Sequence, residues 1–149
     1  MATIQQNFTD SNTITIALAS LGYGSLIASS AIDNSTNKYV SATIQGKITT
    51  TSTIPVGTVT LFLLRSVDGG TTYDDIGVLS PDWIMNMQPL LNIDTPDAST
   101  TYVFSFNTLS TGTLPSFWKI VVWNNSGGAL SATVGDHYVM FTGNKYESI

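Results

Sequence analysis

Residues 58–66 read TVTLFLLRS, and residues 117–124 read FWKIVVWN. From Val59 to Leu64 the apolar side chains occupy both parities, so both faces of an extended chain here must be covered. The run has strand length rather than helix length, it is rich in β-branched and aromatic residues, and Pro55 and Gly57 punctuate its start. It reads as a central strand of a sheet buried on both sides. The second run has the same character and ends in Asn124–Gly128 (NNSGG), which reads as a hairpin turn tolerant of positive φ.

Working outward, three segments alternate instead. Residues 13–18 (TITIAL) put Ile14, Ile16 and Leu18 on one face. Residues 39–50 do the same with Val40, Ala42, Ile44 and Ile48, and residues 100–109 with Tyr102, Phe104 and Phe106. Strict alternation marks strands with one buried face. Shorter strands are expected at 25–32, 76–79, 130–134 and 137–142. Residues 83–94 hold Ile84, Met85, Met87, Leu90 and Leu91 but are interrupted by Pro89, so they read as a loop with a short strand or one helical turn. Turn chemistry falls at 33–38 (DNSTNK), at 68–72 and around Asp94, Pro96 and Asp97. About eight strands with turns every 8–12 residues define an all-β chain. The expected fold is a two-sheet β-sandwich, jelly-roll-like, with an Ig-like sandwich as the alternative. Residues 1–149 show no repeat, linker or compositional break and read as one domain.

Composition narrows the function. Charged residues make up 10% of the chain, against about 25% in an average soluble domain. Thr, Ser, Asn and Gly fill the gap, so the surface is largely neutral and hydroxyl-rich. A surface of this kind suits a chain that partners cover. Net charge is −5, and the five basic residues Lys38, Lys47, Arg65, Lys119 and Lys145 are scattered. A nucleic-acid binder needs a clustered basic footprint, so that class is excluded. With no cysteine there are no disulfides and no thiolate metal sites. No apolar run approaches the roughly 18 residues of a membrane span, and the first ten residues lack a signal pattern. No membrane partner and no cofactor are expected.

The sharpest local motif is Ser66, Asp68, Gly70, Thr72 and Tyr73 in S-x-D-x-G-x-T-aromatic spacing. Asp68 can accept backbone N–H groups across a turn, Gly70 can adopt a left-handed conformation, and Tyr73 can close the turn by packing. The motif resembles the Asp-box of sialidases and other β proteins. The resemblance implies a structural turn away from any active site. A sialidase itself is excluded, because Arg65 is the only arginine and the chain is too short for a propeller.

Catalytic constellations are missing. His137 is the only histidine, and alternation points its neighbour Asp136 to the opposite face, which breaks a Ser-His-Asp arrangement. Glu147 is the only glutamate, while Asp74, Asp75, Asp82, Asp94 and Asp97 lie in turn-like stretches. Asp68, Asp74 and Asp75 are weak calcium candidates without EF-hand spacing. Trp118 and Trp123 fall on opposite faces of one strand, so one belongs to the core and the other faces outward. Trp83 and Trp123 are therefore candidate contacts for a neighbouring subunit or a sugar. The sequons at Asn7, Asn34 and Asn124 are at the level of chance in so Ser- and Thr-rich a chain.

Two segments together, residues 59–73 and residues 118–133 (WKIVVWNNSGGALSAT), resemble small β-sandwich virion proteins of tailed bacteriophages. The second carries a strand followed by N-x-[ST]-G-x-A-L. The resemblance implies a non-enzymatic virion structural protein, foremost a capsid decoration or cement protein made in the host cytoplasm. Its partners would be capsid or tail proteins and its own copies, a trimer suiting three-fold capsid positions. A carbohydrate-recognition module, as in a tail fibre or receptor-binding domain, is the alternative.

Overall fold

The computed structural model describes residues 3–51, 56–74 and 87–148. Among these residues ten strands fall into two five-stranded antiparallel sheets. Sheet A holds β1 (Ile4–Phe8), β2 (Asn12–Thr13), β5 (Ser41–Thr49), β8 (Thr101–Asn107) and β10 (Tyr138–Ser148). Its order is β1-β10-β5-β8, with β2 beside β10. Sheet B holds β3 (Leu26–Ala28), β4 (Ile32–Asp33), β6 (Gly57–Ser66), β7 (Gln88–Thr95) and β9 (Phe117–Asn125). Its order is β3-β9-β6-β7, with β4 also beside β9. β1 and β2 share one position, as do β3 and β4, so the strands fill the eight positions of a jelly roll. After each of these split positions the chain changes sheet at every connection except β6 to β7. In an Ig-like order more of the hairpin neighbours would share a sheet.

The packing follows from the two kinds of strand in the sequence. β6 and β9 lie side by side in the middle of sheet B, with Leu61 opposite Val122 and Leu63 opposite Ile120. Their inner residues Val59, Leu61, Leu63, Trp118, Ile120 and Val122 fill the space between the sheets. Sheet A supplies Ala42, Ile44, Ile48, Phe104, Val139 and Phe141. Trp118 meets Phe141 edge-on at 5.3 Å between ring centroids, tying the sheets together. Gly46 stands on the inner row of β5 where the Phe104 ring lies over the backbone: a Cβ there would stand 2.5 Å from Phe104 Cζ.

Four expectations need correction. Residues 14–18 alternate in burial as read, yet they form no ladder. Ile14 N–H donates to Val139 O in sheet A, and Thr15 O accepts from Ser30 on the sheet-B side. This stretch bridges the sheets and roofs the core with Ile14 and Leu18. Pro89 does not break residues 88–95: β7 is an edge strand, and its register slips between Leu61 and Phe62, so the proline sits at a bulge. This also places Asp94 in a strand, opposite Thr58, rather than in a turn. Residues 124–128 do not close a hairpin, because β9 and β10 belong to different sheets. Instead Asn124 is buried and folds the crossover: its amide donates to Leu21 O and Gly128 O at 2.8 Å, while its carbonyl accepts from Ser126. Finally, residues 130–134 are no strand. Leu130 makes a single bridge to Thr50 and enters the core, and a 3-10 turn follows at Val134–Asp136. The short strand expected at 76–79 lies outside the described residues.

Candidate functional site: the outer faces of the sandwich

The turn after β6 is built from its own side chains. Ser66 Oγ donates to Asp68 Oδ1 at 2.7 Å and accepts from the Gly70 amide at 2.9 Å. The amides of Thr71 and Thr72 donate to Asp68 Oδ1 at 3.1 and 2.9 Å, and the Thr72 hydroxyl donates to Oδ2. Gly69 and Gly70 both have positive φ, 74° and 86°, which turns these amides inward. The Thr72 hydroxyl first, then the Thr72 amide and the Ser66 hydroxyl, hold the Asp68 carboxyl far below the usual carboxylate range. Both oxygens of Asp68 are thus engaged within the turn. Asp74 Oδ2 accepts the Arg65 amide, and Asp75 lies outside the described residues. No group of three or more His, Cys, Asp or Glu side chains among the described residues is placed to hold a metal.

The outer face of sheet B is covered. Phe62, Leu64 and Val121 point away from the central core and are still fully buried, under Tyr73 and Met87. Tyr73 closes the Asp68 turn onto this cluster, and Lys119 Nζ sits 4.0 Å above its ring centroid. Trp118 is the core tryptophan, fully buried. Trp123 faces outward between Leu26 and Thr60 but is half-buried against the same cluster, and its indole N–H is shielded without a hydrogen-bond partner among the described residues. It is a wall of a packed face more than an open platform. Trp83 lies outside the described residues.

The outer face of sheet A is open. Val103 is 75% exposed and Tyr138 is 42% exposed. A depression of about 350 Å³ there is lined by Gln45, Gly46, Val103, Phe104, Ser105 and Tyr138, none of them charged. Where β5 stops, at Ser41 opposite Asn144, β10 runs on and pairs with β1 alone. The two strands form a ribbon with two unlike faces. Ile4, Gln6 and Phe8 share one with Tyr146 and Ser148, and Gln5 and Asn7 share the other with Lys145 and Glu147. On the polar face Lys145 Nζ pairs with Glu147, which also accepts from Asn7. On the other face Ile4, Phe8 and Tyr146 are 74%, 62% and 60% exposed. Nothing in the composition singled out residues 4–8 (IQQNF) as a strand. The cross-strand partner at the far end of the chain supplies that information.

Catalytic geometry does not assemble around His137. Its Nε2 lies 3.0 Å from the Ser131 carbonyl oxygen, so Nε2 carries the proton, and Nδ1 accepts from the Thr49 amide. Asp136 accepts from the Ser131 hydroxyl at 2.6 Å. Serine, histidine and aspartate are therefore neighbours, but the hydroxyl is bound to the carboxylate and the imidazole to backbone. No base addresses the nucleophile. Asp136 lies in the 3-10 turn and His137 caps it, so strand alternation is not what separates them. Asp33 and Glu147 are lowered, by Ser35 and by Lys145 respectively, and Lys145 is raised by Glu147; each is held in its charged form. Asp97 sits in a turn closed by Tyr102. Two sequon asparagines, Asn34 and Asn124, are buried and hydrogen-bonded at both ends of the amide.

No protein-family model matches the chain, and no curated protein matches it. Among solved structures, the chain resembles one described as "CBM4 structure and function", at 12% identity and a TM-score of 0.34, covering 93% of each chain. No helix among the described residues is long and apolar enough to cross a membrane.

Proposed function

We propose that this domain is a non-enzymatic packing module, a bacteriophage virion structural protein that decorates or cements a capsid through protein–protein contacts. One observation carries the reading: apolar side chains stand exposed on strands of a chain in which only 10% of residues are charged. Ile4, Phe8, Val103 and Tyr146 occupy strands, not loop tips, and are held in fixed geometry. A partner that covers them gains apolar area at roughly 25 cal/mol per Å² buried, and Lys47, directly opposite Val103, is a charge it must accommodate. Head decoration agrees with the resemblance of residues 59–73 and 118–133 to virion proteins, and with a chain that spends its Asp and His side chains on turns.

The test is co-sedimentation with undecorated shells of the phage that encodes the protein. Saturable binding at a fixed number of copies per shell, unchanged by EDTA, is expected. Protein that stays in the supernatant with both shells and tails overturns the reading. A second reading, carbohydrate recognition, draws on the depression beside Tyr138, where Gln45 and Ser105 offer hydrogen bonds next to an aromatic ring that has Lys47 Nζ 5.6 Å from its centroid. Glycan-array hits abolished by Tyr138→Ala would favour it over packing.

A further inference from the structure

We infer that the open edge of β1 pairs with β1 of a second copy across a two-fold axis, joining the A sheets of two molecules into one. The inference concerns the edge alone, and it holds or fails independently of the assembly the domain serves.

The sheet edges differ in how they are guarded. β7 carries Pro89 and a bulge, β3 and β4 are short, and β8 lies against β7 at a corner of the sandwich. Lysines, prolines, bulges and brevity are the usual protections of an edge. β1 has none: Ile4–Phe8 reads IQQNF, without charge, proline or bulge, and every residue is exposed. A two-stranded ribbon outside a core is marginal by itself, so the β1–β10 extension gains most from a further strand.

The backbone on that edge is set for a symmetric partner. Thr9 N–H donates to Gly143 O at 3.0 Å. Alternation along the antiparallel ladder then turns the amides and carbonyls of Asn7 and Gln5 toward β10, and those of Ile4, Gln6 and Phe8 toward the open side. A two-fold axis at Gln6 brings together those outward residues: Gln6 opposite Gln6 of the second copy, and Ile4 opposite Phe8. About six backbone hydrogen bonds form. The side chains match as well. On one face the apolar Ile4–Phe8 pairs flank a glutamine pair beside Tyr146. On the other, Gln5 meets Asn7, and no like charges face each other. The contact is isologous and closes on itself. A strand from an unrelated protein would share the hydrogen bonds but not this reciprocity of pattern.

The chain has no cysteine, which makes the test clean. Gln6→Cys places two thiols across the axis at a Cα separation of about 5.5 Å, within disulfide reach. Mild oxidation is expected to convert this variant to a covalent dimer at least about tenfold faster than Gln5→Cys, whose side chain lies on the other face opposite Asn7. Gln6→Pro removes an outward N–H without touching a bond to β10. It is expected to turn a dimer, measured by light scattering, into a folded monomer whose thermal midpoint, unlike that of the dimer, does not depend on protein concentration. Equal crosslinking of the two cysteine variants, or a wild-type protein that remains monomeric at the highest soluble concentration, overturns the inference. If the edge fails while the protein still co-sediments with shells, the functional proposal stands without it.

Discussion

The two sheets of this sandwich follow the same plan on the inside and opposite plans on the outside. Sheet B buries both of its faces: Leu61, Leu63, Ile120 and Val122 on the inner one, Phe62, Leu64 and Val121 on the outer one. Sheet A buries only its inner face, and its outer rows read Thr43, Gln45, Lys47 on β5 and Val103, Ser105, Asn107 on β8. The difference is already a property of the strands as text. TVTLFLLRS and FWKIVVWN leave no polar parity, whereas SATIQGKIT and TYVFSFN alternate. What the comparison teaches is that exposed apolar residues on the two sheets have different meanings. On sheet B apolar outward residues are part of the fold. On sheet A and its ribbon, Val103, Ile4, Phe8 and Tyr146 remain mostly exposed and are available to a partner.

Truncation separates the two meanings most sharply. Phe62→Ala removes a buried ring from the outer cluster of sheet B and is expected to cost about 3–5 kcal/mol in chemical denaturation. Val103→Ala, also outward but on sheet A, is expected to stay within about 0.5 kcal/mol. A small effect at Phe62 would show that the outer cluster contributes little and would erase the contrast. A large effect at Val103 would mean that the exposed face of sheet A is covered within the chain.

Apolar area alone does not specify sheet B. Asn124 ends the inner row of β9, fully buried, and fixes the crossover by binding Leu21, Ser126 and Gly128. Asn124→Ala leaves two carbonyls and an amide without this partner and is expected to cost about 1–3 kcal/mol. Asn7→Ala on the ribbon, exposed and bound only to Glu147, is the matched control and is expected to be near neutral. Equal effects would mean that buried polar anchoring adds nothing to the packed side of the molecule.

How far the sequence could be read follows the same division. The central strands and the one-sided strands were legible because periodicity and burial are locally coupled, as Ile44 and Ile48 show. Residues 14–18 display where that coupling stops: alternation reports which side chains are buried, not whether the backbone has a ladder partner. Pro89 misled because a proline's effect depends on strand order, an edge tolerating what a centre does not. β1 was invisible because a polar, fully exposed strand is defined by its partner residues 144–148, at the other end of the chain. The Asp68 turn was readable residue by residue, since all its bonds are local. The spatial proximity of Ser131 and Asp136 to His137 was not, since it depends on a 3-10 turn that the sequence presents as two strands.

Of the three carboxylates held low among the described residues, Asp68 and Glu147 give the finest comparison. Asp68 is held by hydroxyls and amides of its own turn, and Glu147 chiefly by Lys145 across the polar face of the ribbon. In both cases the folded-state value lies below the ordinary one, 3.8 for Asp68 and 4.5 for Glu147. Each therefore contributes stability that is fully present above its ordinary value and is lost as pH falls toward the folded one. Because the Asp68 shift is the large one, its share of the loss continues well below its ordinary 3.8. Asp68→Asn is expected to lower the thermal midpoint at neutral pH and to flatten its decline on acidification below about pH 4. Glu147→Gln is expected to change that slope little, because an exposed ion pair is weakly coupled to folding and is screened by salt. Repeating both titrations at high salt sharpens the distinction. The Asp68 difference should persist, because its partners are neutral hydrogen-bond donors, while any Glu147 difference should fade. An Asp68→Asn profile parallel to wild type through the acid range would show that the turn forms without its carboxylate charge.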